Sequence, residues 1–352
     1  MTAELKRSAL LVMRAAGLFD WSRERRWRRE RLAILCYHSL ARHDEHEWAP
    51  ALFISPAHFE RRLQWLAEKR YNVIPLSEGL ELMSRDELPP RSVAITFDDG
   101  TADFADLAWP LLERYSMPAT VYWTTYYSTI SQPVFGMMCD YLLWRARQRM
   151  APAQLWGGQG QRDLAEYSRR AAVLEEIASF VRREGMTLAQ RHAWAAQLAG
   201  ALEIDYSQVL ARRSLQLMTP DEARAVASRG ADLQLHTHRH RTPVDEVLFR
   251  REIEDNRSRI EAVCGKPPEH FCYPSGKMAA EFFPWLAQAG VRSAVTCESG
   301  LAAPGSHPYL LPRIVDTSTL GELEFEAWLS GARLLLGGSR RAGDVVGVDP
   351  LV

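Results

Sequence analysis

The chain is 352 residues long, 47% hydrophobic and 25% charged, with a formal net charge of −1. That length holds one large α/β domain with an insertion, or two smaller domains. The near-neutral balance offers no global basic field for nucleic acid. Five cysteines (Cys36, Cys139, Cys264, Cys272 and Cys297) lie scattered with no CxxC pair, which excludes a disulfide framework and a cysteine-built zinc site and suits a reducing compartment.

Residues 1–31 read as a basic amphipathic arm. The stretch "LKRSALLVMRAAGLF" is interrupted by Arg14, is too short to span a bilayer, and lacks the pattern of a cleaved signal. "WSRERRWRRER" then carries Arg23, Arg25, Arg26, Arg28, Arg29 and Arg31 against Glu24 and Glu30. Such an arm caps the domain as a solvated helix, or makes peripheral contact with an anionic membrane surface. The expected location is cytoplasmic, at most peripheral to the inner membrane surface.

Residues 32–332 read as one catalytic domain. "LAILCYHSL" is a short apolar run that predicts a buried strand. Phe59, Leu63 and Leu66 follow Ser55-Pro56 at helical spacing, before a strand near Val73. "RSVAITFDDG" is another buried strand, Leu107, Leu111 and Leu112 mark a helix, and Ala119 to Thr124 a further strand. This alternation predicts parallel pairing with helices outside. From about 133 to 217 the pattern turns helical and reads as an insertion or lid. Alternation resumes with a helix capped by Thr219 and a strand at "ADLQLHTH". An amphipathic helix follows with Phe249, Ile253, Ile260 and Cys264 on one face, then strands at "HFCYPSG", "RSAVTC" and "LLPRIVD". Residues 333–352 read as a loose tail. Repeated βα units suit a parallel barrel or a doubly wound sheet, and periodicity does not choose between them.

In such folds chemistry gathers at the carboxyl ends of the strands. Four predicted strands end in reactive groups: His38, the doublet Asp98-Asp99, "HTHRH" from His236 to His240, and Tyr273-Pro274-Ser275-Gly276. His236 and His240, four apart, can face one point, and two imidazoles with one carboxylate fill the three protein positions of a catalytic divalent metal site. Zinc is the first choice, with cobalt or nickel as alternatives. His238 between them points away. An Asp-Asp-Gly turn needs only one aspartate; a metal gives the second a purpose, with Asp99 as ligand and Asp98 as general base toward the attacking water.

"TFDDG", "HTHRH" and "YPSG" resemble, in order and spacing, the motifs of the polysaccharide deacetylases (carbohydrate esterase family 4, the NodB-homology domain), over roughly residues 32–320. The resemblance implies a distorted (β/α)7 barrel with a helical insertion, and metal-dependent removal of N-acetyl groups from amino sugars of a glycan. It implies Asp98 as base and Asp99, His236 and His240 as ligands. The third motif departs from it: many relatives carry an arginine and a tyrosine where this chain has Cys272 and Ser275. Arg313 is the substitute for the arginine that steadies the base, and the Ser275 N–H for the oxyanion donor, with Tyr273 and Pro274 beside it as substrate contacts. No late histidine follows the last strand, and His307 reads as loop. "CYHSL" fits relatives with a permuted early YH strand, which makes His38 the general acid. Tyr37, Tyr273 and Trp123 are aromatic candidates for stacking on sugar rings, or core. Two other readings remain open: deacetylation of a lipid-linked amino sugar or peptidoglycan, and a catalytically weakened glycan-binding barrel.

Overall fold

The computed structural model describes residues 3–130 and 132–336. Seven strands follow from the short apolar runs: β1 Ala33–Tyr37, β2 Ser92–Phe97, β3 Ala119–Trp123, β4 Asp232–Leu235, β5 His270–Cys272, β6 Ser293–Ser299 and β7 Leu311–Val315. All pair in parallel in the order β1-β7-β6-β5-β4-β3-β2, and the two-residue strand Asn72–Val73 pairs in parallel along β2. β2 returns to β1 with Ala33 opposite Val93 and Cys36 opposite Thr96, which closes the ring. The barrel is distorted: β4 and β5 share the single pair Phe271 and Leu235, and the β6–β7 register shifts between Val295 and Ser299. Closure decides between barrel and open sheet, a choice that depends on contacts between the first and last strands of the chain.

Strand alternation sorts the side chains into two layers. Ala33, Leu35 and Tyr37 of β1, Val93, Ile95 and Phe97 of β2, and Val121 and Trp123 of β3 face the surrounding helices. Ile34, Ala94, Tyr122, Cys272, Val295 and Leu311 fill the interior. The helix Pro56–Glu68 starts at Ser55, whose hydroxyl accepts from His58 N at 3.2 Å, and seats Phe59, Leu63 and Leu66 on the outer layer. Each such side chain contributes about 1.5–3 kcal/mol by leaving water.

Between β3 and β4 the chain builds a second apolar cluster from the helices Phe135–Arg145, Tyr167–Arg183 and Leu188–Ala201, with Met138, Leu142, Ile177 and Leu198 at its centre. Phe53, in the short strand Phe53–Ile54 that pairs in parallel with Ser39–Leu40, joins it. The segment is not wholly helical. Met150–Pro152 pairs antiparallel with Gln161–Asp163, two strands too short to leave a period-two signature.

The amino-terminal arm is folded onto the barrel. The helix Ala3–Ala15 lies along Glu322–Ser330, with Arg14 paired to Glu326 at 3.0 Å, and Leu10 and Phe19 buried beside Ala327 and Ala332. Arg28 is buried, donating to the carbonyls of Leu329 and Arg31 at 2.8 Å each. Two of the arginines that read as solvated charge are therefore internal struts, since Arg23 is buried too and donates to Tyr71 Oη at 3.2 Å. The tail expected over 333–352 lies outside the described residues from 337 onward. Before that point Ala332–Leu335 is a short helix.

Candidate active site

Strand parity carries the reactive groups to one end of the barrel. His38 continues the inward series Ile34, Cys36; Asp98 continues Ala94, Thr96; His236 continues Gln234; Cys272 and Arg313 are inward on their own strands. His38, Asp98, His236 and Cys272 lie at or just past the carboxyl ends of their strands, and Arg313, in the middle of β7, reaches up to them.

The doublet is split by backbone conformation. Asp98 stays in line with β2, its N–H donating to Tyr37 O at 2.9 Å. Asp99 (φ 69°) and Gly100 (φ 73°) are both left-handed. A Cβ at Gly100 would stand 2.4 Å from Trp123 Cδ1, so this position needs glycine for space as well as for φ. The turn aims the two carboxylates at different partners.

Asp98 is buried and gripped by Arg313, which is fully buried on β7. Nη1 donates to Oδ1 and Nη2 to Oδ2, both at 2.7 Å. The guanidinium is held in turn by Thr296 O at 2.9 Å and Thr96 Oγ1 at 3.2 Å. Burial alone would raise the Asp98 carboxyl, but the adjacent guanidinium overrides it and holds the group well below the ordinary carboxylate range. The thiols of Cys272 and Cys36 approach Asp98 Oδ2 at 3.4 and 3.7 Å. Burial pushes both thiols up, so they remain protonated weak donors. His38 Nε2 lies 3.8 Å from the same oxygen, on the solvent side.

Asp99 faces the histidines. Its Oδ1 is 3.2 Å from Nε2 of His236 and 3.2 Å from Nε2 of His240, and the three groups offer donor atoms within 4.8 Å of one another. His236 Nδ1 lies 2.9 Å from Cys272 O. A carbonyl only accepts, so Nδ1 carries a proton and Nε2 is the ring atom left to face Asp99. A proton on Nε2, or a cation shared between the rings and the carboxylate, makes this approach attractive. The donor set therefore fits a divalent cation, and its two-imidazole, one-carboxylate chemistry matches that of zinc-like ions. Although burial would raise the Asp99 carboxyl, the bonds to His236 and His240 keep it well below its usual range.

"HTHRH" forms a loop, with Thr237 (φ 59°) and His240 (φ 54°) both left-handed. The helix Glu246–Cys264 holds it from below. Asn256 Oδ1 accepts from His236 N at 2.9 Å, while its Nδ2 donates to Trp123 O at 2.9 Å and Thr125 Oγ1 at 3.0 Å. Glu252, also buried, accepts from Arg239 N at 2.8 Å and Arg241 Nε at 2.8 Å. Neither residue entered the expected site. The signal was their position in the buried stripe Phe249, Ile253, Ile260, where an acid and an amide have no apolar reason to be. His238 points away from the cluster and meets Thr125 Oγ1 at 2.9 Å.

The same parity gives three aromatics the core alternative. Tyr37, Tyr273 and Trp123 are each about 1% exposed and belong to the outer core layer, not to a sugar-stacking wall. Tyr273 Oη donates to Tyr309 O at 3.1 Å and its ring packs beside Phe271 and Phe282, so its side chain is no substrate contact. Pro274 is likewise buried. Ser275 is exposed with φ 54°, and its main chain stands at the rim. His307 sits in a loop, its Nδ1 accepting from Tyr309 N at 3.1 Å, away from the cluster.

Comparison with known proteins agrees with this geometry. The deacetylase PplD of Streptococcus pyogenes, in complex with acetate, superposes with a TM-score of 0.56 at 18% identity, over 85% of this chain and 98% of that one. IcaB from Ammonifex degensii gives 0.53 at 17% identity, over 85% and 97%. At such identities the likeness establishes the barrel. In sequence, 67 residues are 34% identical to the poly-β-1,6-N-acetyl-D-glucosamine N-deacetylase of Staphylococcus aureus (strain MSSA476), 19% of this chain and 23% of that protein. A stretch of 93 residues is 32% identical to YxkH of Bacillus subtilis (strain 168), 26% of this chain and 31% of its length. The matched stretches thus span less than a third of these relatives. The sequence profile of the polysaccharide deacetylases matches residues 85–154 and 172–294, more than half of the chain, and the barrel closes around the motifs it carries: this protein belongs to the polysaccharide deacetylase family.

Proposed function

We propose that the chain is a metal-dependent hydrolase that removes N-acetyl groups from the amino sugars of a polymeric glycan. The observation that carries this reading is the approach of Asp99, His236 and His240 to one point, beside a separate carboxylate, Asp98, kept ionised by Arg313. A divalent cation held by Asp99, His236 and His240 supplies Lewis acidity toward the acetamide carbonyl and acidifies a water, with zinc the first candidate and cobalt or nickel next. Asp98 accepts the proton from the attacking water. Arg313 orients that carboxylate and keeps it charged throughout the working pH range. His38, 3.8 Å from Asp98, donates a proton to the departing amine. The backbone N–H of Ser275 at the rim donates to the developing oxyanion. The products are acetate and a free amino sugar.

The Staphylococcus aureus relative supplies the first substrate to try, poly-β-1,6-N-acetylglucosamine. Purified protein incubated with that polymer, and with chitin oligomers as a contrast, is expected to release acetate. Chelation abolishes the release, and zinc, cobalt or nickel restores it. Stoichiometric metal with no acetate from any N-acetylated glycan overturns the hydrolase reading in favour of a glycan-binding barrel.

A further inference from the structure

Charge is distributed unevenly along this near-neutral chain. Residues 1–31 hold nine Lys and Arg against four Asp and Glu, a balance of +5, and the remaining residues hold 34 against 40, a balance of −6. Arg23 and Arg28 are buried struts. The others, Lys6, Arg7, Arg14, Arg25, Arg26, Arg29 and Arg31, are partly or fully exposed.

The arm also exposes apolar side chains that its packing leaves over. On the helix Ala3–Ala15, Leu10 faces the barrel, while Leu5 (58% exposed), Leu11 (49%) and Val12 (69%) face out. At 100° per residue these three fall on one outward arc with Glu4, Ser8 and Ala15, and Arg7 and Arg14 line one edge of it. After the left-handed Gly17 the helix Leu18–Arg23 adds Leu18 and Trp21, the indole 47% exposed with the Arg25 guanidinium 4.2 Å from its ring centre. An outward apolar arc edged by arginine, with a tryptophan beneath a guanidinium, has the chemistry of a helix lying in the boundary between lipid headgroups and acyl chains. Among the described residues no helix is long and apolar enough to cross a membrane.

We infer that the folded amino-terminal arm is a docking surface for an anionic lipid bilayer. Charge complementarity selects the occupant: acidic headgroups meet the arginine edge, and the acyl boundary takes Leu5, Leu11, Val12 and Trp21. The arm's position then fixes how the enzyme sits. Glu24 pairs with Arg91, and Arg23 bonds Tyr71, residues just ahead of the strand starts at Ser92 and Asn72. The second half of the arm therefore lies beneath the amino ends of the strands, opposite the candidate site at their carboxyl ends. The helix Ala3–Ala15 runs along the flank beside Glu322–Ser330, so adsorption through the arm places this flank and the lower end of the barrel against the bilayer, and the candidate site is not part of the docking face.

The test is sedimentation of the full-length protein with vesicles, either of phosphatidylcholine alone or with about 30 mol% phosphatidylglycerol. Wild type is expected to pellet with the anionic vesicles, not with the neutral ones, and to be released by about 0.5 M salt. The triple variant Leu11→Ser/Val12→Ser/Trp21→Ser, and separately Arg7→Glu/Arg25→Glu/Arg29→Glu, are expected to weaken partitioning by about tenfold or more. All six side chains are exposed, so an unchanged melting temperature serves as the folding control. Equal binding to neutral vesicles, no binding to either, or concentration-dependent self-association through the arm that the triple variant abolishes would each overturn the inference. None of these readouts depends on the deacetylase reading.

Discussion

Two buried carboxylates five residues apart, Asp98 and Asp103, sit in contrasting surroundings. Both are lifted out of water at the carboxyl end of β2, and burial raises both. Asp98 meets a guanidinium at 2.7 Å on each oxygen and ends well below the ordinary range. Asp103 meets only the Leu40 N–H at 2.6 Å and the Thr101 side chain, with Arg42 more remote, and is pushed up to about 7. Neutral donors only reduce the desolvation penalty; a full cation in contact reverses it. The interior of the barrel mouth thus keeps one acid charged, and the loop after β2 leaves the other about half protonated near pH 7.

The largest expected effect comes from removing the charged partner's function while keeping its shape. Asp98→Asn is expected to lower the rate of acetate release by about 10²–10⁴-fold, with metal content, read by elemental analysis of the folded protein, unchanged. His236→Ala is expected to lose metal and turnover together. Near-wild-type turnover in Asp98→Asn would take the base role away from this residue. Next in size is Arg313→Met, which strips the cation and leaves the Asp98 charge alone in the barrel. Breaking a buried pair in this way costs about 3–5 kcal/mol, measured by denaturant unfolding. In this variant burial of Asp98 is no longer overridden by a guanidinium in contact, as it is not for Asp103, so its carboxyl rises and any residual activity increases with pH. A flat pH profile with full stability would mean that Arg313 does not govern this carboxylate.

The proposed general acid, His38, comes third. His38→Ala is expected to lower kcat by about 10²-fold or more without loss of metal, since the imidazole contacts Asp98 rather than the Asp99 cluster. Metal loss instead would make His38 a ligand or a support for one.

Much of this contrast was legible in the sequence. The period-two rule applied to "LAILCYH" and "VAITFDD" sends His38 and Asp98 inward, and the same rule places Tyr37, Tyr273 and Trp123 outward. Residue type alone left stacking and core both open for these aromatics, and parity chooses the core. Arg313 could be suggested from its place near a strand end, but its contact with Asp98 depends on β7 closing against β1, a pairing across nearly the whole chain that no local pattern specifies. Glu252 and Asn256 were visible as polar residues in an apolar helical stripe, yet their partners were not, because a helix's buried face does not say which loop it meets. The three-residue strands of the insertion left no periodic trace. Asp103 lies outside every motif, and only its depth makes it unusual.

That depth yields the smallest predicted effect, and it runs opposite in sign to the Asp98 contribution. For Asp98 the folded-state pKa is depressed, so its contribution is present above the unfolded value near 4 and is lost as pH falls through the folded value. For Asp103 the folded state holds its proton more tightly than the unfolded chain, whose aspartates titrate near about 4. Its contribution is therefore fully present below about 4, declines as pH rises, and is gone above about 7, the folded value. The total is at most a few kcal/mol, because Thr101 and the Leu40 amide still stabilise the charged form. Asp103→Asn keeps an acceptor for Leu40 N–H and cannot titrate. Melting temperatures measured from pH 5 to pH 8 are expected to fall less steeply for the variant than for wild type, by about a few degrees across that window. Identical slopes would show that Asp103 is ionised throughout, and that amide and hydroxyl donors at this depth can do for a carboxylate what the Arg313 guanidinium does for Asp98.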